Sequence, residues 1–335
     1  MKNIFIIVLV IIGALIGAGF ASGQEIYLFF YSYGVIGLVG LIFTFTLISF
    51  VIYKSLKIIC KNKINNYDEF LKIFIKNKKI TKWINIILNM LLLVTFYIMV
   101  AGFGAYFEQE IGINKIIGSG IFVIITTTIF FTNVKGVLKV SEYIVPILIG
   151  LLIIIGAINI ITINYKIEMP IVNKGWILSS IIYCSYNIIL LIPVLISISK
   201  QITKLSNIKY ISIISGILMI IISTMIFMLL TKSNIDISNL EMPIVYIIRT
   251  HFLKLKPIYA FIILSSILTT AISIGMGFLQ NISKNKQSYT QIVLFMCITS
   301  LIISNIGFSK LVSFVYPLFG YIGIIQIIFI IKQKV

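Results

Sequence analysis

The chain has 335 residues, 60% hydrophobic and 11% charged, and its 27 Lys and Arg against 9 Asp and Glu give a formal net charge of +18. A water-soluble domain carries about 25% charged residues to keep its surface wet, so this composition excludes a soluble globular fold and a soluble enzyme with it. The basic excess does not point to nucleic acid, because the lysines are spread over short loops and form no basic domain.

In chain order, apolar runs occupy 4–22, 35–56, 84–107, 115–132 and 140–163, then 176–198, 208–231, 257–280, 288–306 and 309–331. Each can cross a hydrocarbon core of about 30 Å as a helix. The runs are continuous and lack the period-two alternation of barrel strands. The expectation is an all-α integral membrane protein of about ten transmembrane helices, with residues 1–335 forming one membrane domain in contact with the lipid bilayer. With the amino terminus inside, 19 of the 27 basic residues fall on the inner side, so both termini are expected to be cytoplasmic. A second reading of the start, with Ala18-Gly19-Phe20-Ala21 as a signal-peptide cleavage site, leaves the remaining topology unchanged. Cys60, Cys184 and Cys297 are scattered and form no disulfide framework.

An offset of 173 residues aligns the spans of 4–163 with those of 176–331. The connecting segments agree: Tyr67, Phe70, Leu71, Phe74 and Ile75 make an amphipathic helix, and the offset lands on the apolar stretch Met242–Ile248. Gly102-Phe103-Gly104 falls on Gly275-Met276-Gly277. Five spans per half is an odd number, so the second copy is inverted relative to the first, the arrangement of secondary transporters.

In inverted repeats the binding site forms where discontinuous helices meet at mid-membrane. The first and sixth spans are both expected to be interrupted. The first reads Gly13-Ala14-Leu15-Ile16-Gly17-Ala18-Gly19-Phe20-Ala21-Ser22-Gly23; its glycines weaken a helix and admit a ligand to the backbone, or they form GxxxG packing faces. The sixth carries Tyr183, Ser185, Tyr186 and Asn187 in mid-membrane, with Pro193 beyond. A half-helix amino terminus offers free N–H groups to a carboxylate, and unwound carbonyls suit a cation or an ammonium group. Ser266, Thr270 and Ser273 share one face of the eighth span beside Thr269; their hydroxyls suit Na⁺, or bond their own helix carbonyls.

The sequence has no GxxxxGK[ST] loop for ATP and a single histidine, His251. Intramembrane acids are nearly missing: Glu25, Glu108 and Glu110 are expected near the outer surface, with Gln24 and Glu25 placed at the gate. No enzyme activity and no cofactor are expected, apart from Na⁺ as a coupling ion. The small-molecule substrate is expected to be zwitterionic or neutral.

Gly17-Ala18-Gly19-Phe20-Ala21-Ser22-Gly23-Gln24-Glu25 and Ala101-Gly102-Phe103-Gly104-Ala105-Tyr106-Phe107-Glu108 resemble the YkvI-type bacterial membrane proteins over essentially the whole chain. That family looks like a distant member of the amino acid–polyamine–organocation superfamily, with the five-plus-five LeuT-like fold. The resemblance implies a multi-pass protein of the bacterial cytoplasmic membrane carrying a small amino acid. It places Gly17 to Ser22 in the unwound first helix, Tyr183 to Asn187 in the unwound sixth, and Tyr97 facing the site from the third. The Gly13 and Ile16 carbonyls with Thr269 and Thr270 correspond to the common sodium site. No lysine lies between Val140 and Tyr165, where some proton-coupled relatives carry one. A ligand receptor without transport, like the membrane subunit of spore-germinant receptors, remains the other reading of the fold.

Overall fold

The computed structural model describes residues 2–75, 77–131, 134–161, 174–231, 240–283 and 286–333. Lys76, Lys166, Lys232, Lys284 and Lys334 of the charge count lie outside these residues, as do the expected span ends at 132 and 162–163. The chain forms α1 (Lys2–Leu15), α2 (Ala18–Ala21), α3 (Gln24–Phe29), α4 (Val35–Asn62), α5 (Tyr67–Phe74), α6 (Lys78–Tyr106) and α7 (Lys115–Phe131). It continues as α8 (Val134–Ile161), α9 (Trp176–Ser199), α10 (Asn207–Leu230), α11 (Pro243–His251), α12 (Lys256–Ile282), α13 (Lys286–Ser304) and α14 (Phe308–Lys332). No strand occurs among the described residues.

Among the described residues seven helices are long and apolar enough to cross a membrane, against the ten spans expected, and Ile4–Leu15, Lys115–Phe131 and Pro146–Asn159 are shorter apolar helices. The outside of the bundle is apolar too. Trp83, Ile124, Ile302 and Phe314 are each about two-thirds exposed, which water would penalise and lipid would not. The chain is an all-α integral membrane protein.

Short polar stretches set the helix boundaries at one end. Asn66 Oδ1 accepts the Glu69 N–H at 2.8 Å while Glu69 Oε2 accepts the Asn65 N–H at 2.8 Å, so α5 starts on a reciprocal cap. Asn77 accepts the Lys79 N–H and starts α6. Lys54 Nζ, on α4, donates to the carbonyls of Ile331 and Gln333, so the end of α14 shares this face with the lysine-rich α4–α6 connection. The α6–α7 connection, a π-helical turn over Phe107–Ile111, lies beside α11.

Two features position the interior. The first span is broken twice: α1 stops at Leu15, Ile16 and Gly17 leave the helix, α2 makes one turn, and Gly23 (φ 82°) turns the chain into α3. The left-handed backbone at Gly23 is open to glycine, and a Cβ there would also strike Ile244. The sixth span differs from expectation. α9 runs unbroken through Tyr183–Asn187, because the Ser185 and Asn187 side chains fold back onto their own helix, donating to the carbonyls of Ile181 and Tyr183, and Pro193 lies within the helix without ending it.

Helix contacts pair between the halves. α4 packs on α9 as α10 packs on α1; α14 packs on α9 as α8 packs on α1. Likewise α10–α8 is matched by α4–α14, α12–α8 by α6–α14, and α13–α6 by α7–α12. Close approach is achieved by small residues, as in other membrane bundles: Gly320 and Gly323 of α14 lie against the backbone of Ile182 and Ser185 on α9.

Candidate functional site

The double break places short, buried backbone segments in the middle of the bundle, with Ala18 to Gln24 all buried. Each freed polar group therefore needs a partner from another helix. Tyr259, on α12, donates to the Ala21 carbonyl at 2.5 Å. The Ile244 N–H at the start of α11 donates to the Ser22 carbonyl at 2.9 Å. The Ser22 hydroxyl turns back to the Gly19 carbonyl at 3.1 Å, and Gln24 Nε2 donates to the Ser309 hydroxyl on α14 at 2.6 Å.

Glu25 is the centre of the site. It is 3% exposed, and its Oε2 accepts two phenol hydroxyls from consecutive turns of α9, Tyr186 at 2.5 Å and Tyr183 at 3.1 Å. Gly19 makes this possible, since a Cβ at that position would overlap the Glu25 carboxyl group. Aromatic rings close around it: Phe29 meets Tyr183 at 5.2 Å and Tyr186 at 5.8 Å, and Tyr186 stacks on Tyr316 at 4.6 Å. No Lys or Arg forms an ion pair with Glu25 among the described residues; the acids that are so paired are Asp68 and Glu110.

A second cluster lies on the other side of the break. Neither the Gly13 nor the Ile16 carbonyl receives the backbone N–H of the residue four places on, among the described residues. Ile16 O instead faces the Ser266 hydroxyl of α12 at 3.4 Å, and Thr270 presents its methyl to Gly17. Thr269 and Ser273 bond their own helix, to Ser266 O and Thr269 O, and Ser273 is exposed.

Three further sequence candidates, Tyr97, Glu25 and Glu110, are covered by neighbouring elements. Tyr97 is buried, but its hydroxyl shares a 2.6 Å hydrogen bond with Thr299 of α13. Glu25 is interior to the bundle, in contact with α9. Glu110 is also covered, its side chain 1% exposed between Arg249 at 3.5 Å and Lys256 at 3.3 Å.

With this geometry in hand, similarity to other proteins can be weighed. No protein-family model matches the chain. It is 28% identical over 323 residues to the "Uncharacterized membrane protein YkvI" of Bacillus subtilis (strain 168), covering 94% of this chain and 91% of that protein. It is 27% identical to the "Uncharacterized protein YyaD" of the same strain, over 94% of this chain and 92% of that one. The chain is homologous to both. The resemblance to the YkvI type, carried by Gly17–Glu25 and Ala101–Glu108, is thereby supported across nearly its whole length.

In this YkvI homologue the residues that sequence reasoning missed are Phe29, Tyr259, Ser309 and Tyr316, and the central position of Glu25. Tyr259 and Tyr316 look like ordinary span aromatics. Only the bond of Tyr259 to the Ala21 carbonyl and the stacking of Tyr316 on Tyr186 distinguish them. Glu25 did carry a signal: it is the acid nearest to a glycine-rich break in a chain with few acids.

Proposed function

We propose that the chain is a secondary active transporter of LeuT-like fold, multi-pass in the bacterial cytoplasmic membrane with both termini inside. It carries a small organic solute, an amino acid or a close analogue, by alternating access coupled to Na⁺. The observation that carries this reading is the doubly broken first span inside an apolar bundle. Irregular backbone at membrane depth is tolerated where it is buried in protein or lines a path for polar cargo.

Two further features support it. The pairing of helix contacts between α1–α8 and α9–α14 is what a five-plus-five inverted repeat produces. Of the helices that would carry the site, only the first is discontinuous. α6, α7, α12 and α13 pack on one another and supply a block against which α1–α3 and α9 rock. The Gly13 and Ile16 carbonyls with the Ser266 hydroxyl supply neutral oxygens on two helices, the kind of donor a monovalent hard cation takes.

The test is uptake into proteoliposomes of the purified protein, with an inward Na⁺ gradient, an inward proton gradient, or neither. Solute accumulation that follows the Na⁺ gradient is expected. Ligand binding without accumulation under any gradient would replace the transporter with a receptor on the same fold.

A further inference from the structure

We propose that the cavity between α5, α6, α9 and α14 holds an acyl chain of an anionic phospholipid, whose phosphate lies over the lysines at the start of α6. The proposal rests on the chain's being an integral membrane protein and is independent of the transporter reading.

The first ground is the cavity. Its volume is about 550 Å³, within the range of about 300–1,000 Å³ that small-molecule sites occupy. The apolar face of α5 covers one end, where Phe74 stacks on Phe329 of α14. Along α6 the lining runs from Ile80 to Leu91, about 16 Å of helix at 1.5 Å per residue. Ile189 of α9 and Phe319 of α14, both buried, close the inner side. The most exposed apolar lining residues are Ile80 of α6 and Ile325 of α14, at 48% and 58%. The cavity therefore opens between these two helices, towards the lipid around the bundle. A zwitterionic solute would shed its water against apolar walls here, and a hydrocarbon chain would not.

The second ground is one polar group inside these walls. Gln326 Oε1 accepts the Tyr67 hydroxyl at 2.9 Å, while its Nε2 is buried with no hydrogen-bond partner among the described residues. A buried amide donor is completed by an acceptor brought to it. The ester carbonyl of a phospholipid is such an acceptor, carried on the chain that fills the apolar space.

The third ground is charge at the mouth. Lys78, Lys79 and Lys82 are exposed and form no ion pair among the described residues. The two acids of α5 are engaged, Asp68 by Lys72 and Glu69 by the Asn65 N–H. Trp83, two-thirds exposed, stands beside Lys79 and Lys82, and a tryptophan so placed marks the headgroup level of a bilayer. Lysines at that level attract anionic headgroups and gain little from zwitterionic ones.

The experiment is a thermal-shift titration of the full-length protein, washed free of lipid in an uncharged detergent. The probes are dioleoyl phosphatidylglycerol, dioleoyl phosphatidylcholine and the tail-less headgroup glycerophosphoglycerol. Saturable stabilisation by phosphatidylglycerol is expected, with phosphatidylcholine at least severalfold weaker and the headgroup alone silent. Ile322→Trp fills the cavity and is expected to abolish the phosphatidylglycerol response. Gln326→Leu keeps the space, removes the amide and is expected to weaken the response about fivefold.

A phosphatidylglycerol response unchanged in Ile322→Trp overturns the proposal, as does its absence in the parent protein. Equal responses to both lipids, or a response to the headgroup alone, overturn it as well. If Ile322→Trp does not yield a monodisperse protein, the Gln326→Leu titration decides, and an unchanged response there overturns the site. Stabilisation by L-leucine that Ile322→Trp abolishes would give the cavity to a solute instead of a lipid.

Discussion

The side-chain amide of Gln109 pairs with both backbone groups of Met242: Oε1 accepts the Met242 N–H at 3.0 Å, and Nε2 donates to the Met242 carbonyl at 3.1 Å. Arg249 donates to the Gln109 carbonyl at 2.9 Å, and two residues past Met242 the Ile244 N–H reaches the Ser22 carbonyl of the break. A continuous path of polar contacts thus runs from the α6–α7 connection through α11 to the broken span. Gln109→Ala leaves the Met242 N–H without its partner, while the carbonyl keeps the Tyr246 N–H, a loss of about 1–3 kcal/mol. Thermal unfolding in detergent is expected to fall accordingly, and a cysteine introduced at Ile244 is expected to be labelled faster by an aqueous thiol reagent. An unchanged melting point and labelling rate would show that α11 is held by packing alone.

Gly19 is the position with the least room. Its missing Cβ is where the Glu25 carboxyl group packs, so Gly19→Ala forces the carboxyl away from Tyr183, Tyr186 or both. Overpacking of this kind costs about 1–3 kcal/mol. Gly19→Leu is expected to abolish ligand-induced stabilisation while the protein still inserts in the membrane, because the apolar spans are untouched. Normal uptake by the Leu variant would remove the break from the transport path.

The contrast between Gly19 and Asn187 shows what the sequence carries. Span existence, the amphipathic α5 and the break in the first span were legible, because apolar run length, a 3.6-residue period and clustered glycines are local signals. The corresponding break in the sixth span was not formed. Tyr183, Ser185 and Asn187 looked like groups in need of partners, yet Ser185 and Asn187 find them one turn back on α9, a choice that side-chain composition does not determine. The place of Glu25 was misjudged for a related reason. Counting residues from the end of an apolar run puts it near the outer surface; that α3, resuming after Gly23, lays its carboxyl against two tyrosines of α9 is not a local signal. Rotation about a helix axis likewise decided that Ser266 faces the break and Ser273 does not.

Outside the membrane, α5 carries a pH-sensitive contact with a definite sign. Asp68 forms an ion pair with Lys72 and accepts from Asn85 of α6 at 3.0 Å; the hydrogen bond from Lys72 is the main cause that holds its carboxyl below the usual carboxylate range. A depressed folded value means that the contribution is present above the unfolded value and is lost as pH falls through the folded one. Both partners are well exposed, so the contribution is small, about 0.3–0.5 kcal/mol for the ion pair. Asp68→Asn is therefore expected to lower the melting point slightly at neutral pH, with the difference from the parent shrinking as pH falls below about 4 and lost once Asp68 is protonated in the folded state. A difference that persisted or grew in acid would mean that the Asn85 contact to α6, and not the charge, holds α5 in place.

Na⁺ coupling makes a prediction that separates neighbouring hydroxyls. If the freed Gly13 and Ile16 carbonyls hold the ion with α12, Na⁺ is expected to raise the melting point when exchanged for K⁺ at constant ionic strength, by up to about 2.7 kcal/mol of stability at a hundredfold excess over its dissociation constant. Ser266 faces Ile16 O, so Ser266→Ala is expected to reduce the Na⁺ response at least severalfold. Thr269 and Ser273 are engaged by carbonyls of their own helix, so Thr269→Ala and Ser273→Ala are expected to leave it nearly unchanged. A response lost in Thr269→Ala but kept in Ser266→Ala would move the ion to the opposite face of α12. No response in the parent protein would leave Glu25 as the charged group available for coupling, and a flux assay against a proton gradient would then decide the driving ion.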